Sequence, residues 1–183
     1  MKTPISYYGG KQTLAPIILE LIPEHKIYCE PFLGGAAVYF AKKPSKVEVI
    51  NDTNSELINF YEVVKNDFSA LEKEIAITLH SRAKHRQAQV IYDNPDMFDR
   101  VKRAWAVWML ANISYGCKLD AAFGYDRAGC ASKKLANKRK NFTEHLPRYD
   151  QLICTFLPGE PYQNYIREKS RVYIVSEGSF RAE

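Results

Sequence analysis

Lys26-Ile27-Tyr28-Cys29-Glu30-Pro31-Phe32-Leu33-Gly34-Gly35, followed eleven residues later by Lys46-Val47-Glu48-Val49-Ile50-Asn51-Asp52, decides how this chain is read. The first stretch is a short apolar run that stops at a proline and passes into a glycine pair. Residues 36–41 are compatible with a helix, so the text reads strand, glycine turn, helix. The second stretch alternates β-branched residues and stops at Asn51-Asp52-Thr53-Asn54, whose short polar side chains can cap a following helix. That helix begins near Ser55. Leu57, Ile58, Tyr61 and Val64 fall on one face of it, and Phe68, Leu71, Ile75 and Leu79 continue a helical period beyond Asn66-Asp67. The order β-α-β-α-α predicts an α/β fold with a parallel, helix-covered sheet. In such a sheet ligands sit at the carboxyl ends of the strands, here residues 30–35 and 51–54.

Outward from this core the chain changes character. Residues 82–112 carry helical periodicity broken at Asp93-Asn94-Pro95, with Trp105, Trp108, Met109 and Asn112 at spacings of three and four, and they read as a helical subdomain with both tryptophans in its core. From Ser114 to Asn141 the periodicity disappears and a long basic loop with interleaved aromatics is expected. Short strands are expected at 154–157 and 171–175. The 183 residues carry a net charge of +5, but residues 82–140 hold thirteen Lys or Arg against five Asp, an excess of +8, which leaves −3 elsewhere. That asymmetry suits a polyanion-binding segment on a neutral or acidic core.

Other classes fall away. Apolar residues make up 46% of the chain and charged residues 26%, the balance of a globular protein rather than of a disordered or fibrous one. No apolar run is long enough to span a membrane and Met1 to Tyr8 lack a signal-peptide core, so a cytoplasmic location is expected. Cys29, Cys117, Cys130 and Cys154 form no CxxC pair, so neither a metal site nor a disulfide framework is expected.

Gly34-Gly35 alone can be explained by close helix packing. Asp52 raises the functional reading, because it stands 17 residues after Gly35 at the end of the next strand. An acidic residue there can accept hydrogen bonds from ribose hydroxyls, and the absence of G-x-G-x-x-G points to a cofactor with a ribose but no pyrophosphate. Ser6-Tyr7-Tyr8-Gly9-Gly10-Lys11 adds a second glycine pair flanked by aromatics, able to lie on an adenine or a cationic sulfonium, and by a cation.

Tyr7-Tyr8-Gly9-Gly10-Lys11, Glu30-Pro31-Phe32-Leu33-Gly34-Gly35-Ala36 and Asn51-Asp52-Thr53-Asn54-Ser55-Glu56-Leu57-Ile58-Asn59-Phe60-Tyr61 resemble, in order and spacing, three successive motifs of the Dam-type DNA adenine-N6 methyltransferases. The resemblance runs from Pro4 to about Asn141. It implies a Rossmann-like methyltransferase core that binds S-adenosylmethionine and an inserted helical target-recognition subdomain. The corresponding division is residues 1–80 for the cofactor part, 81–142 for the basic recognition part and 143–183 for a partial return to the core. It further implies cofactor contacts at Tyr7, Lys11, Glu30, Phe32, Gly34, Gly35 and Asp52. Duplex DNA is the implied partner of a monomer, alongside a restriction endonuclease where the two form one system. Phosphate contacts are expected at Lys118, Arg127, Lys133, Lys134, Lys138, Arg139 and Lys140, and stacking contacts at Tyr115 and Phe123.

The sequence departs from the family at one place. Its Asp-Pro-Pro-Tyr tetrad, which would hold the amine of a flipped adenine and stack on its ring, occurs nowhere in this chain. Glu160-Pro161-Tyr162 is the nearest string. The segment after residues 171–175, where the tetrad is expected, reads Ser176-Glu177-Gly178-Ser179. The sequence therefore leaves two expectations open: an adenine methyltransferase, or a shortened or inactive member that only binds cofactor and DNA.

Overall fold

The computed structural model describes residues 3–125, 130–144, 154–156 and 173–174. Four parallel strands form one sheet in the order β3-β2-β1-β4, with β1 at Ile27–Glu30, β2 at Val47–Ile50, β3 at Cys154–Phe156 and β4 at Tyr173–Ile174. Strand β1 is central, pairing Glu30 with Ile50 on one side and Cys29 with Ile174 on the other. The chain leaves β1 toward β2 and β3 and returns to its opposite edge with β4. The strand order thus reverses beside β1, and a crevice opens at the carboxyl end of such a strand.

Helix α2 (Ala37–Ala41) links β1 to β2, and α3 (Ser55–Asn66) follows β2. As the polar cluster predicts, Asn54 caps α3, its Oδ1 accepting the Glu56 amide at 3.0 Å. Helix α4 (Phe68–Ala76) is shorter than its sequence period suggests. It ends at Ala76, leaving Leu79 exposed. Helices α5 (Arg82–Asp93) and α6 (Arg100–Ile113) are separated by a tight turn at Pro95–Met97, where the sequence is broken. Helix α1 (Ala15–Leu21), with a proline in its first turn, has no counterpart in the sequence reading.

Residues 104–111 of α6 are all buried, because the helix runs between α3 and α5 with α4 and α7 also against it. Trp105 and Trp108 lie in the core, as their spacing predicts. Strand residues Tyr28 and Ile50 share one apolar cluster with Trp108 and Leu135. Ion pairs seal the seam outside that cluster. Arg103 binds Glu56 through two nitrogens, Arg100 binds Glu62, and Lys102 lies 2.7 Å from Glu74.

The expected basic loop is corrected in its second half. Residues Cys130–Glu144 form a helix, α7. Leu135 and Phe142, two turns apart, are buried, and the Phe142 ring stacks on Phe68 at 5.3 Å. Two apolar anchors seven residues apart suffice to seat the helix, yet they are too few to stand out among its lysines. The first half is a hairpin-like loop in which Tyr115 N–H donates to Ala122 O at 2.8 Å and Gly124 N–H to Ile113 O at 2.7 Å.

Candidate cofactor pocket

Three segments that the sequence reading picked out independently converge at the carboxyl ends of β1 and β2. Residues 7–11, 32–35 and 52–53 line a single cleft. Its N-terminal wall is a turn in which Gly10 N–H donates to Tyr7 O at 3.0 Å and Gly9 takes a φ of 71°. A side chain at Gly10 would bring its Cβ to 2.9 Å from Tyr7 O.

The turn after β1 is held from several directions. Leu33 N–H donates to Asn51 O at 3.0 Å, Gly34 N–H to Asp52 Oδ2 at 2.8 Å, and Tyr61 O–H to Gly34 O at 2.9 Å. Lys11 Nζ donates to Phe32 O at 2.9 Å, tying the N-terminal segment to the same turn. Tyr7 rests on the glycines: a Cβ at Gly35 would lie 3.1 Å from Tyr7 Cβ, and one at Gly34, where φ is 51°, would lie 3.2 Å from the Tyr7 ring. Both the packing and the backbone conformation therefore call for glycine.

Asp52 is buried, and its second oxygen, Oδ1, accepts the Asn54 amide at 2.9 Å. Each oxygen of an ionised carboxylate has two acceptor positions, so both oxygens retain one for a ligand hydroxyl. Glu30 does not line the cleft. It lies beneath, fully buried, with Tyr28 O–H donating to Oε2 at 3.0 Å. Its Oε1 finds no hydrogen-bond partner among the described residues and sits 3.6 Å from Lys11 Nζ. Burial raises this carboxyl to about 7, against the opposing pull of the Lys11 ammonium and the Tyr28 hydroxyl.

The rim carries a contact absent from the sequence reading. Lys118, on the hairpin-like loop, places Nζ 4.3 Å from the ring centroid of Tyr8, which is itself exposed. Tyr61 and Tyr92 were also missed as parts of the site. Asn54 Nδ2 donates to Tyr92 Oη at 2.8 Å, joining the cap of α3 to α5. Of Tyr61 and Tyr92, only Tyr61 stood inside a quoted motif, where it read as a core residue, while Asn54 lies in the segment 51–54 that the sequence marked as the site.

The cations expected at DNA separate into groups. Lys118, Lys134 and Lys140 are exposed. Lys138 Nζ donates to Ser6 Oγ and Asn112 Oδ1, both at 2.7 Å, and burial lowers its pKa. Arg139 donates to Ala76 O at 3.1 Å and Thr78 O at 2.9 Å, closing the end of α4. These two are engaged within the fold. Phe123 packs between His80 and His85, at 4.8 and 5.7 Å, whereas Tyr115 is 77% exposed. Arg127, the side chain of Lys133, and Glu160, Pro161 and Tyr162 lie outside the described residues. No group of three or more His, Cys, Asp or Glu placed to hold a metal occurs among the described residues, and no described helix is long and apolar enough to cross a membrane.

Residues 7–151, which include every segment of the cleft, match the family of D12 class N6 adenine-specific DNA methyltransferases. The chain belongs to this family. It is 36% identical over 113 residues to the type II methyltransferase M1.LlaDCHI of Lactococcus lactis subsp. cremoris, covering 61% of the chain and 39% of that protein. It is also 36% identical over 85 residues to the type II methyltransferase M.MjaIII of Methanocaldococcus jannaschii, covering 42% of the chain and 29% of the relative. A shorter stretch of 42 residues, 23% of the chain, is 67% identical to 12% of the DNA replication and repair protein RecF of Treponema pallidum. The chain thus spans less than two fifths of the length of these relatives.

Proposed function

We propose that this chain serves in N6-methylation of adenine in duplex DNA, with S-adenosylmethionine bound in the cleft between residues 7–11, 32–35 and 52–53. The observation that carries the reading is Asp52, whose carboxylate braces the glycine turn through Gly34 N–H and Asn54 N–H and keeps acceptor capacity toward the cleft. That donor and acceptor set fits a nucleoside with two ribose hydroxyls and no phosphates. When bound, the cofactor supplies an electrophilic methyl group.

In this reading Asp52 accepts from the ribose, and Gly34 and Gly35 allow close approach to the backbone. Tyr7, Tyr8 and Phe32 flank the ligand with aromatic surface. Lys11 holds the Phe32 carbonyl, and with Glu30 it sets the charge under the cleft. The core is read as Rossmann-like, in keeping with the strand reversal beside β1. Residues 81–142 are assigned to target recognition, with Lys118, Lys134 and Lys140 as phosphate contacts and Tyr115 as the stacking residue. Extruding an adenine costs a few kcal/mol, which a stacking residue and amine acceptors must offset. Glu160, Pro161 and Tyr162 are the residues proposed for that task. A monomer and a restriction endonuclease partner complete the proposal.

The test is transfer of a labelled methyl group to adenine in duplex DNA, with label lost in Asp52→Ala and in Tyr162→Ala. Cofactor binding with no transfer would leave the second reading, a cofactor- and DNA-binding module.

A further inference from the structure

Two segments remote in the sequence meet at the mouth of the cleft. The first is the turn of residues 7–10, closed by Gly10 N–H on Tyr7 O, with Gly9 at a φ of 71°. Tyr8 stands at its corner, lining the cleft yet 61% exposed. The second is the hairpin-like loop, whose base is fixed. Gly124 N–H donates to Ile113 O, His85 Nε2 lies 2.9 Å from Ser114 Oγ, and Phe123 packs between His80 and His85. The tip is held as well. Leu119 is buried in the apolar cluster, while Gly116 and Cys117 take φ values of 67° and 59°. The left-handed region is costly for a residue with a Cβ and persists where the surroundings fix the backbone. Lys118, exposed and next in the chain, reaches across the rim and places Nζ 4.3 Å from the centroid of the Tyr8 ring.

No carboxylate pairs with Lys118 among the described residues, so its ammonium rests on an aromatic face alone. An exposed cation–π contact is weak enough to exchange and strong enough to bias a loop. We infer that Lys118 and Tyr8 form a clasp over the cleft, which slows passage of the cofactor while closed and opens when a phosphate of bound duplex takes the Lys118 ammonium from the ring. Charge-assisted bonds to a phosphate are stronger than the π contact they replace, and one ammonium does not serve both partners at once. Bound duplex therefore speeds cofactor exchange. The inference rests on the reading of the cleft as the cofactor site and of Lys118 as a phosphate contact, and it adds a regulation of that site.

The test is the rate at which labelled S-adenosylmethionine bound to the full chain is chased by excess unlabelled cofactor. Lys118→Met and Tyr8→Leu should each speed the chase about two- to fivefold, the factor that an exposed cation–π contact allows. Lys118→Arg and Tyr8→Phe, which keep the cation and the ring, should stay close to wild type. In the Tyr8→Leu background Lys118→Met should add nothing, because the contact is already gone. A duplex of dG and dC alone, which offers phosphates without a substrate adenine, should speed the wild type by a similar factor and leave Lys118→Met unchanged. A wild-type rate retained in Lys118→Met, or an equal acceleration by that change in the Tyr8→Leu background, overturns the clasp and leaves the functional reading standing. A duplex that does not alter the wild-type rate, or that speeds Lys118→Met equally, overturns its release by phosphate. Wild type that binds no cofactor overturns the functional reading as well.

Discussion

Asp52 Oδ2 accepts the N–H of Gly34 at 2.8 Å, across 18 residues of chain. This bond joins the ends of two neighbouring parallel strands, and with Leu33 N–H on Asn51 O it makes the floor of the cleft one unit. A carboxylate that holds the glycine turn in shape also positions itself for a ligand. The same residue thus serves both structure and binding, and its substitution should affect affinity more than stability if the second acceptor positions are used.

The glycines differ in what they protect. Gly35→Ala presses on Tyr7 Cβ, so cofactor affinity should fall with a modest loss of stability. Gly124→Ala drives a Cβ into Ile113 O, a backbone atom that cannot yield. It should release the hairpin-like loop, and limited proteolysis should cut near residues 114–124 in that variant while the wild type resists.

Glu30 makes stability depend on pH. Its folded value of about 7 lies above the ordinary 4.5, so the neutral form is favoured by folding. The contribution is present below about 4.5 and is lost as pH rises through about 7, a change of about 3 kcal/mol. Urea unfolding at a series of pH values should show wild type losing stability over this window relative to Glu30→Gln. Parallel curves would remove the burial argument.

The two tryptophans of α6 give a matched pair. Trp105 Nε1 donates to Thr78 Oγ1 at 2.7 Å, whereas Trp108 Nε1 is buried with no acceptor among the described residues. Both changes to Phe lose ring volume, but only Trp105→Phe breaks a bond. It should be the more destabilising by about 1–3 kcal/mol in denaturant unfolding.

Lys138 and Lys134 separate structure from DNA contact on a single helix. Lys138→Met should lower the melting temperature through loss of the Ser6 and Asn112 bonds and change the salt slope of DNA binding little. Lys134→Gln should flatten the slope by about 0.9 and leave melting unchanged. The reverse pattern would exchange their roles.

The core of the site was legible because local rules determine it. A polar cluster ending an alternating run can only cap or bind, and Asn54 does the first while Asp52 braces the turn. Two glycines after a strand require a close neighbour, and that neighbour is Tyr7. The basic segment was less legible, because a lysine reads the same whether solvated or buried. Lys138 is half-buried because Ser6, 132 residues earlier, and Asn112 supply acceptors. Arg100 and Arg103 read as part of a DNA-facing excess until α3 brings Glu62 and Glu56 against them. Helix α1 escaped notice because it buries only Ala15 and Ile18 and leaves Leu14, Ile17 and Leu21 exposed.

Calorimetric titration of S-adenosylmethionine into the wild-type chain and Asp52→Ala tests the account most directly. It predicts saturable binding to one site in the wild type and affinity weaker by about 1–3 kcal/mol in the variant, with the fold intact by circular dichroism. Wild-type protein that takes up no cofactor, or a variant that binds it equally well, would contradict the assignment of the cleft.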